Sequence, residues 1–214
     1  SGSCWGNNFD WNSSAFFLPK FTPTVVCTTF VVDSLIKSFL ILNNDDIIDC
    51  VKTSRNFIIN DLNRIEKEDE SFVFSYSPID ERAVYNASLL GVKSLGLIYQ
   101  FTKEESLKDI AFKAVKAVCH NQHKNGAFRH SDQVGDNWRD NFHTGFKIEC
   151  ISIYQKCFKN YSFQENLNIG LDYWLQNFFL PDGTPKYYDN KNYPLDLHTV
   201  GQMIPTLYHS DSLK

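Results

Sequence analysis

The chain has 214 residues, 43% of them hydrophobic and 21% charged, which is enough apolar content to bury a core. Its net charge of −4 argues against nucleic acid or an anionic membrane as the main partner. The longest apolar run, Thr24 to Leu42, is broken by Thr28, Thr29, Asp33, Ser34 and Lys37, so no membrane span is expected. Ser1-Gly2-Ser3 does not lead a basic segment into an apolar stretch, so no secretory signal is expected either. The six cysteines are widely spaced without a C-x-x-C pair, and they read as free thiols suited to a reducing, cytoplasmic location. Three glycosylation triplets, at Asn12, Asn86 and Asn160, weigh slightly the other way, but Asn86 falls inside an expected helix.

In chain order, an aromatic loop (Trp5-Gly6 to Phe9-Asp10-Trp11) precedes the apolar run, and Asn44 with Asp45 and Asp46 then opens a helix through Ile48, Val51, Ile58 and Leu62. A second aromatic loop, Phe72 to Pro78, leads into a helix from Ala83 to Phe101. Its small residues Ala87, Ser88, Gly91, Ser94 and Gly96 allow close helix approach and predict a deep position. Thr102 and Glu105 stand in capping-box spacing ahead of Leu107, Ile110, Ala114 and Val118. After the loop Gly126-Ala127-Phe128-Arg129-His130, the clearest helix runs from Asn141 to Phe158, with Phe142, Phe146, Cys150, Ile153 and Cys157 at three- and four-residue steps. Ser162 and Glu165 suggest another capping box, before a stripe of Phe163, Leu167, Leu171, Trp174 and Phe178 that Pro181-Asp182-Gly183 stops. A fourth aromatic loop contains Tyr187-Tyr188, and Asp196 opens a last helix that Pro205 should kink or end.

The aromatic loops recur at about 55 to 65 residues, the length of one helical hairpin plus a loop. About seven helices follow from periodicity. The fold expected is all-α: stacked αα-hairpins forming an (α/α) toroid, or part of one, as a single domain over 1–214. A closed ring of six hairpins needs more chain. Either helices precede Ser1, or the array is an open arc whose apolar edge a protein partner or a second copy must cover.

Three polar and aromatic clusters are expected at one mouth of the array. They are Phe74 to Asp80 followed by Asn86, then Trp138 to Phe146, then Tyr187-Tyr188 with Tyr193 to His198. Two of them pair an acid with a histidine beside a helix start. Carboxylate and imidazole are suited to proton transfer near neutral pH, which makes Asp140 and His143 the candidate general acid/base and Asp196 and His198 substrate-orienting or second proton-transfer groups. Aromatic rings can stack on sugar faces while Asn and Asp bond hydroxyls, so Trp11, Tyr76, Asp80, Asn86, Trp138, Asn141 and Tyr187 are candidate substrate contacts for an oligo- or polysaccharide. The competing reading is structural: Asp140 or Asn141 caps one helix, Asp196 caps another, the histidines satisfy carbonyls, and the corner aromatics pack.

Other chemistries find less support. Asp196-x-His198 with His143 could supply metal ligands, but no specific spacing is present, so neither a metal nor another cofactor is expected. There is no G-x-S-x-G elbow and no glycine-rich phosphate cradle. Asp45-Asp46-Ile47-Ile48-Asp49 spells the D-D-x-x-D run that holds magnesium in isoprenoid synthases, but its place at a helix start is explained by the helix dipole.

The strings Phe74-Ser75-Tyr76-Ser77-Pro78, Asp140-Asn141-Phe142-His143-Thr144-Gly145-Phe146 and Tyr193-Pro194-Leu195-Asp196-Leu197-His198, with Trp5-Gly6, Phe9-Asp10-Trp11, Thr22-Pro23-Thr24 and Tyr187-Tyr188 around them, resemble the VpsJ-like bacterial polysaccharide biosynthesis proteins over nearly the whole chain. The resemblance implies an α/α toroid like those of six-hairpin glycosidases and terpenoid cyclases, and a role in making a surface polysaccharide. It supplies no defined reaction. A hydrolase, lyase or epimerase would use similar groups, a non-catalytic glycan- or partner-binding scaffold would use the same mouth, and an isoprenoid cyclase rests on fold analogy alone. The sequence departs from that pattern at Phe128, where a tryptophan is usual, and at Pro205.

Overall fold

The computed structural model describes residues 2–12, 17–133 and 138–212, and seven α-helices dominate them. Four of these, α1 (Val25–Leu42), α3 (Tyr85–Thr102), α5 (Asn141–Phe158) and α7 (Leu197–His209), lie side by side in one layer. The others, α2 (Asp45–Asn56), α4 (Ser106–His120) and α6 (Gln164–Asn177), pack behind them as the second helix of each hairpin. The expected stack of αα-hairpins is therefore present. Helices α3 and α5 are buried on nearly every side, whereas α4 and α6 bury one stripe. The small residues of α3 do what their size suggests. A Cβ on Gly91 would sit 3.1 Å from Val25 of α1, and one on Gly96 would sit 3.2 Å from Cys157 of α5.

One hydrogen bond repeats through the layer. The first N–H of α1, at Val25, donates to the Tyr76 carbonyl; that of α3, at Tyr85, to the His130 carbonyl; that of α5, at Asn141, to the Tyr187 carbonyl. Each acceptor belongs to an aromatic loop that leads into the next front-layer helix. The loop repeat is thus a device that satisfies an otherwise orphaned helix-terminal donor and ties neighbouring hairpins at one end. The opposite ends of α1, α3 and α5 also repeat, closing on left-handed Asn43, Lys103 and Lys159.

Several boundaries differ from the sequence expectation. Neither capping box forms. The Thr102 hydroxyl donates back to Ile98 and Glu105 is engaged by Tyr99 and Lys108, while α6 starts only after Phe163, whose buried ring packs on Phe112 and Tyr154. The helix expected from Asn44 to Leu62 is capped by Asn44 as anticipated, then ends as a π-helical turn over Phe57–Asp61. Two short antiparallel ribbons interrupt the helices: β1 (Trp11–Asn12) with β2 (Phe17–Leu18), and β3 (Arg64–Glu66) with β4 (Phe72–Phe74). Pro205 does not end α7, which continues to His209.

The apolar run of α1, with a mean hydropathy of 1.9 over 18 residues, is long and apolar enough to cross a membrane by length and composition alone. Here it packs in the front layer, its Thr29 hydroxyl donating to the Leu90 carbonyl and its Asp33 pairing with Lys37 and Lys93. Further along the front layer Lys93 of α3 meets Glu149 of α5 at 2.7 Å, and Gln202 of α7 donates to the other Glu149 oxygen at 2.6 Å. This buried polar chain spans all four front helices and floors a cavity of about 550 Å³, walled by Leu97, Ile153, Ile204 and Tyr208. Beyond it, α7 exposes Leu197, Val200, Ile204 and Tyr208 along one side.

Candidate functional site

The repeated carbonyl bonds bring the starts of α1, α3 and α5 to one end of the layer. The start of α7 joins them, because His198 stacks on Phe142 with 4.1 Å between ring centroids. Two of the three expected clusters therefore meet at the first turn of α5.

Asp140 is the N-cap of α5 and only 1% exposed. Its Oδ1 accepts the His143 backbone N–H at 2.9 Å, and its Oδ2 lies 2.6 Å from His143 Nδ1. Burial lowers the His143 pKa below its ordinary value even though Asp140 pulls it upward, with Lys147 and His198 adding to the fall. A neutral imidazole beside a carboxylate must carry its proton on Nδ1, donating to Asp140. Nε2 is then left as a free lone pair. The cap residue thus has a second function: it fixes the tautomer and orientation of a base.

Asp196 caps α7 in the same way, accepting the His198 backbone N–H at 3.2 Å, but forms no bond to the His198 ring. The two acid–histidine pairs are therefore not equivalent. The His143 and His198 rings flank Phe142, each 4.1 Å from it.

Around this centre, Trp138 stands 5.8 Å from His143 and 3.9 Å from His130, and Tyr187 lies 5.9 Å from Phe142. Trp138 and Tyr187 also line a cavity of about 380 Å³ with Tyr188, Arg139 and Asp189. Arg139 pairs with Asp189, which also accepts the Tyr173 hydroxyl.

The remaining expected contacts sit elsewhere or serve the frame. Asn141 is fully buried, its amide donating to the Phe178 and Lys186 carbonyls while its oxygen accepts the Trp174 indole N–H; it pins α5 to α6 and presents nothing to a ligand. Asp80 accepts bonds from the backbone of Tyr76, Ser77 and Arg82 and from the Ser77 hydroxyl, which closes the loop before α3. Tyr76 is packed against the core, and burial first, then Cys27 and Asp80, push its hydroxyl up to about 12. Asn86 is buried in the first turn of α3 with its Oδ1 unpartnered, a position closed to glycosylation in the folded chain. Trp11 stacks on Phe9 in the β1–β2 region. The acids Asp45 and Asp46 lie in the exposed first turn of back-layer α2, Asp49 follows one turn on, exposed and paired to Lys52, and all six cysteines are free.

Two buried titratable residues that act electrostatically on this pair were not singled out in the sequence as chemistry. His130, whose loop was recognised only as a repeat, keeps its buried Nδ1 unpartnered, and burial, reinforced by Lys147 and His143, pushes its pKa down to about 2. Lys147 lies one helical turn after His143 and is 2% exposed, with burial lowering its pKa to about 8 against an upward pull from Asp140. The spacing of four from His143 was the available signal.

No family model matches the sequence, and no curated protein matches it. Solved structures do. A GH76 α-mannanase from Bacteroides thetaiotaomicron superposes with a TM-score of 0.71 at 11% identity, covering 97% of this chain and 60% of that one. A sugar epimerase from a ruminal bacterium gives 0.67 at 13% identity, with 89% and 56% covered. A glycosyl hydrolase of family 88 from Bacteroides vulgatus gives 0.68 at 8%, with 89% and 63% covered. The fold these likenesses show is that of stacked αα-hairpins forming an (α/α) toroid or part of one. This chain spans between 56% and 63% of the length of these three proteins, so the four front helices correspond to part of such a ring.

Proposed function

We propose that this chain acts on a saccharide at the mouth formed by the starts of α3, α5 and α7, with His143 as the general base and then general acid. The observation that carries this reading is the Asp140–His143 pair, a buried carboxylate 2.6 Å from Nδ1 of an imidazole whose burial keeps it neutral. In this role Asp140 orients and polarises the ring, and Nε2 exchanges the proton. His198 is the second proton-transfer group across Phe142, while Asp196 positions the start of α7. Trp138 and Tyr187 supply the flat faces on which a pyranose stacks.

The solved relatives are named as a mannanase, an epimerase and a glycosyl hydrolase, which supports a saccharide as substrate class. The resemblance of the Asp140–Phe146 and Tyr193–His198 strings to polysaccharide biosynthesis proteins supports a place in bacterial surface polysaccharide assembly, and the free cysteines support a cytoplasmic location. The exposed side of α7 is the edge on which further helices or a protein partner pack in this reading.

The test is turnover and binding on an oligosaccharide panel, followed by product analysis. His143→Ala, folded as judged by circular dichroism, is expected to lose about 10²- to 10⁴-fold in rate. Unchanged turnover would refute the assignment. A second reading, a glycan-binding module without turnover, draws support from the cavity beside Trp138, Tyr187 and Tyr188, which does not need the histidines. It predicts saturable binding with no product, weakened by Trp138→Ala and unaffected by His143→Ala.

A further inference from the structure

We infer that the aromatic ribbon at the start of α1 is a second saccharide subsite for a neutral chain, so that the substrate is a polysaccharide rather than a mono- or disaccharide. This rests on the saccharide reading above and deepens it.

The segment from Trp5 to Asn12 lies against the segment from Phe17 to Thr24, which leads into α1. Backbone bonds fasten the two. The Thr24 N–H donates to the Trp5 carbonyl at 3.0 Å, the Phe21 N–H to the Asn7 carbonyl at 2.6 Å, and the Lys20 N–H to Asp10 Oδ1 at 2.7 Å. Held in this way, the two segments turn four large rings to solvent: Phe9, Trp11, Phe17 and Phe21 are 54%, 40%, 56% and 67% exposed. Phe9 and Trp11 stack on each other, 6.5 Å apart and 25° from parallel. Phe21 is the sharpest case. The Thr22 N–H donates to the Pro19 carbonyl, which makes Phe21 the third residue of a β-turn, and its φ there is 64°. Glycine or asparagine is ordinary at such a position, and a bulky side chain is strained in it. Burial of the ring does not offset that strain, because the ring lies in solvent with the Lys20 ammonium 5.7 Å from its centroid.

The composition of this surface selects its ligand. Among the described residues its exposed large apolar side chains are all aromatic, and they alternate with exposed Asn8, Asp10 and Asn12. The edges of the front layer are built differently: Leu40, Ile41 and Leu42 end α1, and Leu197, Val200 and Ile204 run along α7. Aliphatic side chains suit another helix or an acyl chain, whereas flat rings beside amides suit the apolar faces and hydroxyls of pyranoses. Asp10 and Lys20 cancel in charge and are both engaged within the ribbon, so the complementary chain is uncharged.

The ribbon also stands at the right end of the molecule. Val25 is tied to Tyr76 by the same carbonyl bond that recurs at the starts of α3 and α5, which puts the ribbon at the mouth end of the layer. Packed helices lie about 8–10 Å apart, so the start of α1 is roughly 20 Å from that of α5, with α3 between them. A single saccharide chain crossing these starts rests on Phe9, Trp11 and Phe21 while a residue further along it meets Trp138 and His143.

The test is a glycan array carrying neutral mannan, glucan and galactan series and oligogalacturonates, each as the disaccharide and the octasaccharide, probed with the wild-type chain and Phe9→Ala/Phe21→Ala. A neutral octasaccharide is expected to bind the wild type roughly tenfold or more tighter than its own disaccharide, because a second subsite on one chain acts through effective concentration. In the double variant, whose truncated rings are exposed and leave the core intact, that ratio should fall to about one. Trp11→Phe keeps the stacked pair and adds a spectroscopic readout: the change in tryptophan emission that only the octasaccharide produces should disappear. Equal binding of octasaccharide and disaccharide would overturn the inference and leave the saccharide reading standing. Binding of no glycan would overturn both. A length preference that survives in Phe9→Ala/Phe21→Ala, or an octasaccharide-specific emission change that survives in Trp11→Phe, would place the extra contact elsewhere and overturn the inference. So would a stronger response to the acidic octasaccharide than to every neutral one. Sedimentation showing a wild-type dimer that the double variant does not form would give the rings to a second copy and overturn it too.

Discussion

Glu149→Gln is expected to be the most destabilising single-atom change in the front layer. The carboxylate is almost wholly buried and accepts from both sides, from Lys93 Nζ at 2.7 Å and from Gln202 Nε2 at 2.6 Å. An amide carries no charge and one acceptor oxygen, so the substituted side chain can at best offer Lys93 a neutral acceptor, and only if the Gln202 amide turns its own oxygen toward the new NH₂. As a counter-charge Lys93 would keep only Asp33, at 3.5 Å and partly solvated. Removing one partner of a buried pair costs about 3–5 kcal/mol, and the surviving Asp33 contact argues for the lower end. At roughly 2–4 °C per kcal/mol for a chain of this size, a loss of about 3 kcal/mol lowers Tm by about 6–12 °C. Differential scanning calorimetry at pH 7 reads this directly. The double variant Lys93→Met/Glu149→Leu should be more stable than Glu149→Leu alone, because it removes both charges from the buried site. A Glu149→Gln protein melting within about 2 °C of the wild type would refute the view that this network holds the four helices together.

Further outcomes follow from the mouth and its frame. Asp140→Asn and Asp196→Asn both keep a competent N-cap, but only the first removes the charge that orients a ring; turnover should fall about 10²- to 10⁴-fold for Asp140→Asn and by less than about threefold for Asp196→Asn. Burial lowers the pKa of both His130 and His143, so below about pH 6.5 the unfolded chain binds protons that the folded chain refuses. Stability is therefore full above that pH and lost as pH falls, and His130→Gln should flatten the decline of Tm measured between pH 6.5 and pH 4.5. A Cβ at Gly145 would lie 2.8 Å from Thr206 Oγ1 and 3.0 Å from Gln202 Cγ. Gly145→Ala should thus force α7 outward and cost about 1–3 kcal/mol in urea unfolding despite its better helix propensity.

Much of the architecture was legible because apolar periodicity and burial coincide in α2, α4 and α6. The loop repeat was also visible, since Tyr76, His130 and Tyr187 each fall in a segment recognised by its aromatics, although the reason for the repeat, a backbone carbonyl accepting the first N–H of the preceding front helix, involves no side chain. What stayed hidden has one physical cause. In α5 the polar residues Lys147, Glu149 and Gln155 are as buried as Ile148 and Ile151. A reading by period assigns polar positions to solvent, but α5 is enclosed by its neighbours on nearly every side, so its buried polar residues look like surface residues in the sequence. The ribbons escaped for a different reason: three residues such as Arg64–Glu66 are too few to display an alternation of two.

The difference between the two acid–histidine pairs was written in their spacing. In Asp140-Asn141-Phe142-His143 the histidine is at the third position of the helix, where in a first turn the side chain folds back over the N-cap side chain, as the reciprocal bonds of a capping box require. The carboxylate can then hold both the backbone N–H and the ring of the same residue, as it does at 2.9 and 2.6 Å. In Asp196-Leu197-His198 the histidine is at the second position. Its backbone N–H still reaches the cap, but its side chain leaves the helix about 100° away from the third position, so its ring cannot return to the carboxylate and instead lies on Phe142. A separation of three therefore makes an oriented base, and a separation of two makes a cap with an independent imidazole. The same cap chemistry, displaced by one residue, decides which histidine of the mouth has its tautomer fixed by the protein and which is left to respond to the ligand.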